Sequence, residues 1–399
     1  MSMSAGDRHW LNEERLRVYP KLFLLLFLAL GLVWILLSEN GVDPRGKPLG
    51  YDFITFWGAS HLALDGNPAA AYDPQTIYAA EQLAVPDNPS MFLWHYPPTF
   101  YLVVWPLALL PYFIAYFVFI GLTFLLYVAV VRRIAPYPDA RVLMLALAFP
   151  GVMINLFHGQ NAFLTAALIG GALHFLPTRP ALAGTLIGLL SIKPHLGVLL
   201  PLVLVATRQW RAVFSAALTV LVFAAASWAI VGQEAWLAFW NNLPLVRLLL
   251  EEGALPWGKM PTVFAFLRIL GVSAASAYLA HFLVAALAAG AVVWVWLKTE
   301  VPALRNAALV SGTLLISPYL FDYDLVWLGL AITWLGMEAW RTGFFGGERE
   351  VLAAAWLLPF VMASIANATF IQVTPFVIAA ILCCVFLRAL RLSRECIGG

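Results

Sequence analysis

A few polar tips interrupt an otherwise apolar chain, and they hold the residues able to do chemistry. Asp52 opens YDFITFWGASHLALDG (51–66), where Phe53, Phe56, Trp57, His61 and Leu64 recur at helical spacing and Gly66 can close the helix with a left-handed cap. This predicts an amphipathic helix lying near the outer membrane surface. A carboxylate at its start reads as an N-cap or as a general base, and the two roles are compatible because the positive helix end would keep it ionised. Lys193 stands in SIKPHLG between two apolar runs of about 12 residues, ~18 Å of helix each. The Lys193-Pro194-His195 tip of that short hairpin is therefore recessed. Its ammonium either snorkels or meets a phosphate at headgroup depth. His158, Gln160 and Asn161 form another polar tip, read as a helix break or a substrate contact. In SPYLFDYDLVWL, Asp322 and Asp324 are two carboxylates where a turn needs one, which suggests a substrate or acceptor contact; Asp324 also reads as a solvated helix cap. His95 and Tyr96, in WHYPPTFY, are either an aromatic anchor or a further acceptor contact.

Other polar residues have plainer readings. Asp73 precedes a proline at a first helical position and reads as a cap, and Asp65 as a turn residue. His281, alone in an apolar run, reads as a packed or hydrogen-bonded histidine. The three cysteines, Cys383, Cys384 and Cys396, offer neither a disulfide framework nor a metal spacing. No P-loop, dinucleotide fingerprint, nucleophile elbow or zinc spacing is found, so no metal and no cofactor is expected.

The elements that must position these tips are membrane helices. The chain is 62% hydrophobic and 11% charged, against about 45–50% and about 25% in soluble domains. Its apolar runs approach the ~20 residues needed to span a bilayer. The pattern predicts one integral all-α polytopic domain with spans at 22–38, 111–131, 141–157, 161–176, 180–192, 196–207, 212–231, 276–297, 306–317, 325–340, 351–366 and 373–390. Taking Arg8 to Lys21 as cytoplasmic, strict alternation puts Arg132, Arg133, Arg179, Arg208, Lys298, Arg305, Arg341, Arg349, Arg388, Arg391 and Arg394 inside as well. Both termini are then cytoplasmic. The run 99–110 is apolar, but Pro97, Pro98, Pro106 and Pro111 cut it into pieces too short to cross. It belongs to a first outer loop, 39–110, whose length and aromatic content suggest an ordered, functional segment. A second outer segment, 232–275, carries Trp236, Phe239, Trp240 and Leu243 at the spacing of an interfacial helix. Gly184 and Gly188 form a GxxxG packing pair. The span interiors are nearly free of charge, which disfavours an ion-coupled transporter.

In their order, YDFITFWGASHLALDGNPAAAYDP, HYPPTFYLVVWPLALLP, HGQNAF, SIKPHLGVLLPL and SPYLFDYDLVWL resemble glycosyltransferase family 87 over about 22–340. These are multispan GT-C enzymes typified by polyprenyl-phosphate-mannose-dependent alpha-mannosyltransferases. The resemblance implies a GT-C bundle, an acidic catalytic residue in the first outer loop (here Asp52), and a donor site near a Lys-Pro motif (here Lys193 and Pro194). Many relatives carry a histidine shortly before the Tyr-Asp pair; here Phe321 and Asp322 stand there.

The expected reaction is inverting transfer of a sugar, mannose on the resemblance, from a polyprenyl-phosphate donor to a lipid or glycan acceptor at the outer face. Asp52 would act as base. Lys193, with His195 or an outer-loop base such as Lys259 or Arg268, would stabilise the leaving phosphate. His95, Tyr96, His158, Gln160, Asn161, Asp322 and Asp324 would contact sugar or acceptor. For a bacterial source the site faces the periplasm from the inner membrane. The alternatives are a GT-C enzyme using another polyprenyl-linked sugar, a lipid or glycan transporter or flippase, and a non-catalytic scaffold. Nucleic acid is not an expected partner.

Overall fold

The computed structural model describes residues 9–135 and 140–398; Arg8 lies outside them, as do the side chains of Cys396 and its neighbours. Among the described residues the chain is helical, with only two isolated bridges closing the 39–48 turn. The helices are α1 (Glu13–Leu36), α2 (Phe53–Leu64), α3 (Pro74–Ala84), the short α4 (Tyr101–Val104), α5 (Tyr112–Ile134), α6 (Ala140–Leu147), α7 (Pro150–His158), α8 (Ala162–Phe175) and α9 (Pro180–Leu189). There follow α10 (Leu199–Ala206), α11 (Trp210–Glu251), α12 (Val263–Ile269), α13 (Ala274–Lys298), α14 (Pro302–Ile316), α15 (Val326–Thr342), α16 (Glu348–Thr369) and α17 (Thr374–Gly398).

Six of these, α1, α5, α11, α13, α16 and α17, are long and apolar enough to cross a membrane, and α6 with α7, bent by 41°, would make a seventh. The chain is a polytopic helical membrane protein. The expected spans 161–176, 180–192, 196–207, 306–317 and 325–340 fall on the shorter helices α8, α9, α10, α14 and α15. Leu304 and nearly all of Asn306–Leu315 in α14, and most of α15, are buried, so helices apolar all round form the centre of the bundle. α11 instead presents Phe214, Leu218, Leu221 and Trp228 on the outside. It breaks at Gly232 (φ 78°, ψ 171°), a backbone conformation open to glycine alone, which divides the expected span from the Trp236–Leu243 helix.

Gly184 and Gly188 let α9 lie against α11: a Cβ on Gly184 would stand 2.3 Å from the Ala212 carbonyl, and one on Gly188 2.5 Å from Thr219 Cβ. This is the packing role expected of the pair. His281 is likewise buried and bonded through Nε2 to the Ile316 carbonyl.

The long connection 39–110 is tied down by side chains bonding to carbonyls. Trp57 Nε1 donates to Leu110 O (3.0 Å), Ser60 Oγ to Trp105 O (2.6 Å), and Tyr101 OH to Pro68 O (2.7 Å). The proline-cut run 98–110 forms only short helical turns. These turns, with α3 and α5, enclose α2. The expected surface helix is therefore an internal one, with Phe53–Ser60 all buried. The polar face read from its sequence is small (Thr55, Gly58, Ala59, Ser60) and so packs on neighbours. Asp73 caps α3 as read, accepting from Thr76 N at 2.9 Å.

The two ends of α16 meet different surroundings. One end holds Arg388 of α17 buried against Glu348 of α16 (Nε to Oε1 2.6 Å), with the Phe345 ring between Arg388 and Arg391 at 4.2 and 4.1 Å. At the far end of α16, Gln372 Nε2 donates to Gly258 O (2.8 Å), beside the polar cluster.

Candidate active site

Asp52 is not a helix cap. Its own backbone is already helical (φ −65°, ψ −18°), and its carboxylate makes no bond to the α2 amides; an N-cap needs an extended residue whose oxygen can turn back. Instead Gln160 Nε2 donates to Asp52 Oδ2 at 3.0 Å. Gln160 Oε1 accepts from Tyr96 OH (2.8 Å) and Asn161 N (3.1 Å), so two donors fix which end of the amide faces the carboxylate. Gly159 makes this meeting possible. It takes φ +59° at the end of α7, and a Cβ there would stand 2.4 Å from Phe53 Cβ and 2.8 Å from Gly50 O. Only a glycine lets the 158–161 tip lie on the backbone that carries Asp52.

Lys193 neither snorkels nor stands free. The chain breaks between α9 and α10 at Lys193 (φ −145°, ψ 70°), and its side chain is 4% exposed. Nζ donates to Asp324 Oδ1 at 2.5 Å and lies 4.9 Å from the Tyr323 ring centre. Asp324 is 1% exposed, so the expected solvated cap is a buried one. Its Oδ2 accepts from Phe321 N (3.2 Å) while Oδ1 holds the lysine.

Lys259 arrives from the 232–275 segment on the turn Trp257–Lys259. Its ammonium donates to His158 Nε2 at 3.3 Å, and His158 Nδ1 lies 2.9 Å from the Ile154 carbonyl. The two contacts select the neutral tautomer, with the proton on Nδ1 and an acceptor at Nε2. The ring packs between Tyr51 (5.1 Å) and Tyr323 (5.6 Å), which joins the Asp52 side of the cluster to the Lys193 side. Lys259 also lines a groove of about 460 Å³ with Leu255, Trp257, Ala363, Asn367 and Phe370. Asp322 is 5% exposed. Burial raises its carboxyl above the usual range, with the charge of Lys259 opposing this and that of Asp52 reinforcing it.

Tyr96, Tyr319 and Tyr323 are all held neutral, their phenols raised chiefly by burial and then by Asp52 and Asp324. Tyr319 was not among the expected residues. Nothing in its spacing sets it apart from the other tyrosines, and only its fold neighbours do. Asn161 is fully buried, and neither side-chain atom has a hydrogen-bond partner; Asn155 Nδ2 is also unpartnered. Buried polar groups of this kind are rarely left without a partner.

Three expected residues serve other ends. Arg268 donates to the Val272 and Glu251 carbonyls (2.6 and 2.7 Å) and stacks over Trp257 at 4.9 Å, closing α12 rather than joining the cluster. His95 accepts from Asn242 Nδ2 at 3.1 Å, and burial lowers it to about 4; it anchors the 85–97 segment to α11. His195 is lowered to about 3 by burial and by Lys193, so it brings no positive charge to a phosphate. Its Nε2 is unpartnered and its ring faces Tyr319.

The family model of glycosyltransferase family 87 matches residues 94–318, more than half of the 399 residues. The chain belongs to glycosyltransferase family 87. The matched region of this family-87 chain carries Tyr96, His158, Gln160, Asn161, Lys193 and Lys259; Asp52 precedes it and Asp322 and Asp324 follow it. The chain is 30% identical over 228 residues to a polyprenol-phosphate-mannose-dependent alpha-(1-2)-phosphatidylinositol pentamannoside mannosyltransferase of Mycolicibacterium smegmatis. That alignment covers 55% of this chain and 51% of the relative, so the chain spans about half the length of the curated relative it matches. No solved structure matches it.

Proposed function

We propose that the chain is a membrane glycosyltransferase moving a sugar, mannose by analogy with the relative, from a polyprenyl-phosphate donor to a hydroxyl of a lipid or glycan acceptor. The observation that carries this reading is Asp52: a half-buried carboxylate free of capping, aimed by Gln160 into a cluster that also holds Lys259. Asp52 takes the acceptor hydroxyl proton while that oxygen forms a bond to the anomeric carbon. The bond from that carbon to the phosphate oxygen breaks, and its electron pair leaves with polyprenyl phosphate. One displacement inverts the anomeric configuration. Lys259, whose partner is a neutral histidine, is the cation that meets the phosphate. Lys193, saturated by Asp324, holds the 319–324 turn in place. The groove beside Lys259 takes the first part of the prenyl chain, and Asn161 and Asp322 take sugar or acceptor hydroxyls.

The site lies at the outer face in this reading. Arg132 and Arg133, Arg179, Arg208, Lys298, Arg341 and Arg349 fall at or next to the helix ends remote from the cluster, as the positive-inside rule requires of the cytoplasmic side. We read the long and short helices together as twelve crossings with both termini inside, with 39–110 and 232–275 as the outer segments. Purified protein given polyprenyl-phosphate mannose and membrane-lipid acceptors should release polyprenyl phosphate coupled to product. Asp52→Asn should lower kcat by about 10²–10⁴-fold with an unchanged unfolding midpoint; near-normal turnover would exclude Asp52 as the base.

A further inference from the structure

Glu81 of α3 is fully buried, and no cation is bonded to it among the described residues. Its Oε2 accepts from Phe92 N at 3.1 Å, and its Oε1 has no hydrogen-bond partner. An unpaired carboxylate in such a place is far costlier than a neutral acid. The groups around it agree. From α2 comes the charge of Asp52, from α5 the phenol of Tyr112, and from the 85–97 segment only the Phe92 amide. Lys47 sits over the outer side of the Phe92 ring, 5.4 Å from its centre.

The position matters because Glu81 touches both arms of the Asp52 hydrogen-bond chain. On one side its Cγ packs on α2 at Gly58, where a Cβ would lie 3.6 Å away; α2 begins directly after Asp52. On the other it fixes Phe92, four residues before Tyr96, whose hydroxyl holds Gln160 against Asp52. We infer that Glu81, as a neutral carboxylic acid, is the positioning residue that sets the Tyr96–Gln160–Asp52 spacing. The inference rests on the proposed role of Asp52 for its catalytic consequence, though not for its geometry. Burial first, then Asp52, raises the Glu81 carboxyl to about 9, the Phe92 amide opposing. A folded-state value raised above the unfolded one means stability is fully present below about 4.5 and falls as pH rises towards about 9.

Glu81→Gln keeps an acceptor for Phe92 and cannot ionise; Glu81→Ala removes the tether. The unfolding midpoint in detergent, read from pH 5 to 9, should fall more steeply in the wild type than in Glu81→Gln, so that the gap between them widens with pH. Parallel curves would show that Glu81 ionises as an ordinary acid and would overturn its neutrality. Hydrogen exchange over 85–97 at pH 7 should be faster in Glu81→Ala and unchanged in Glu81→Gln; equal protection in Glu81→Ala would overturn the positioning role. In transfer assays Glu81→Ala should lower kcat at least tenfold with donor KM little changed, and Glu81→Gln should restore it. The midpoint and exchange readouts decide the inference even if the wild type transfers no sugar, an outcome that would refute the proposed function alone.

Discussion

Lys193 lies in the motif that family resemblance marks as the donor site, yet the structure gives its charge to Asp324. The two readings separate under paired substitution. Lys193 and Asp324 are 4% and 1% exposed and meet at 2.5 Å. Lys193→Met leaves a buried carboxylate with the Phe321 amide as its remaining partner. Breaking one side of such a pair costs about 3–5 kcal/mol, or about 10²–10⁴ in the folded-to-unfolded ratio. That is a large part of the about 5–15 kcal/mol that folded domains hold in total. Asp324→Leu should cost as much, because it strands the ammonium. Lys193→Met with Asp324→Leu removes both charges together, and such replacements are often neutral or stabilising.

Unfolding midpoints in detergent, with transfer measured on the same preparations, supply the assay. The single variants should be strongly destabilised and weakly active. The double variant should regain both its midpoint and measurable transfer, since the aromatic wall of Tyr323 and the 319–324 turn would again be ordered. A double variant that folds normally yet transfers nothing, with donor KM sharply raised, would refute this reasoning: Lys193 would then leave Asp324 to bind the phosphate itself. A midpoint unmoved by Lys193→Met would refute the energetic argument directly.

Lys259→Met should raise donor KM about tenfold or more with little loss of stability, because it removes a phosphate cation and breaks only a long bond to neutral His158; a changed kcat at constant KM would oppose this. Gly159→Ala should cost about 2–5 kcal/mol from its left-handed backbone and the clash with Phe53, and transfer should fail at temperatures where the fold survives. Gly66→Ala, in open space, is the control, losing only the backbone share of about 1–2 kcal/mol. Asn161→Leu should leave the unfolding midpoint unchanged or higher, since it removes an unpartnered buried amide, while kcat/KM falls about 10–100-fold; unchanged kinetics would show that no substrate hydroxyl reaches it.

Much of this site was legible as tips between apolar runs. Composition and run length pointed to a polytopic helical protein, and the prolines of 97–111 forecast a segment broken into short turns. What could not be read was pairing across sequence distance. Lys193 and Asp324 are 131 residues apart, and each alone looks like an ordinary tip residue. α2 shows a second limit: periodicity gives the apolar face of a helix but not what covers the other side. Small residues at Gly58, Ala59 and Ser60 allow α3 and the 98–110 turns to bury the helix from Phe53 to Ser60. Gln160 was one polar residue of three in its tip. Its importance depends on Gly159, whose left-handed backbone lets the tip touch Gly50 and Phe53. Asp52 was balanced between cap and base on sequence because both need the same residue at the same place; the backbone dihedral of the residue itself decides against the cap.

The two acids at the centre of the cluster, Asp52 and Asp322, have environments that differ in kind. Asp52 is half-buried and its Oδ2 receives the Gln160 amide at 3.0 Å. Asp322 is buried more deeply, and burial is the leading cause that raises it, with the charge of Asp52 adding to the effect. In the proposed reaction polyprenyl phosphate needs no proton to leave, so a neutral Asp322 would have no leaving group to serve and would instead donate a hydrogen bond to the sugar or acceptor. A bound phosphate beside Lys259 would draw that lysine away from His158 and Asp322, removing part of the opposition to the raised value. Donor binding therefore strengthens the neutral state of Asp322 just when Asp52 must be the group that accepts a proton. Asp322→Asn, which keeps a donor and cannot ionise, should then retain most of the wild-type kcat, whereas Asp322→Ala should not; equal losses in the two would show that the carboxylate itself is required.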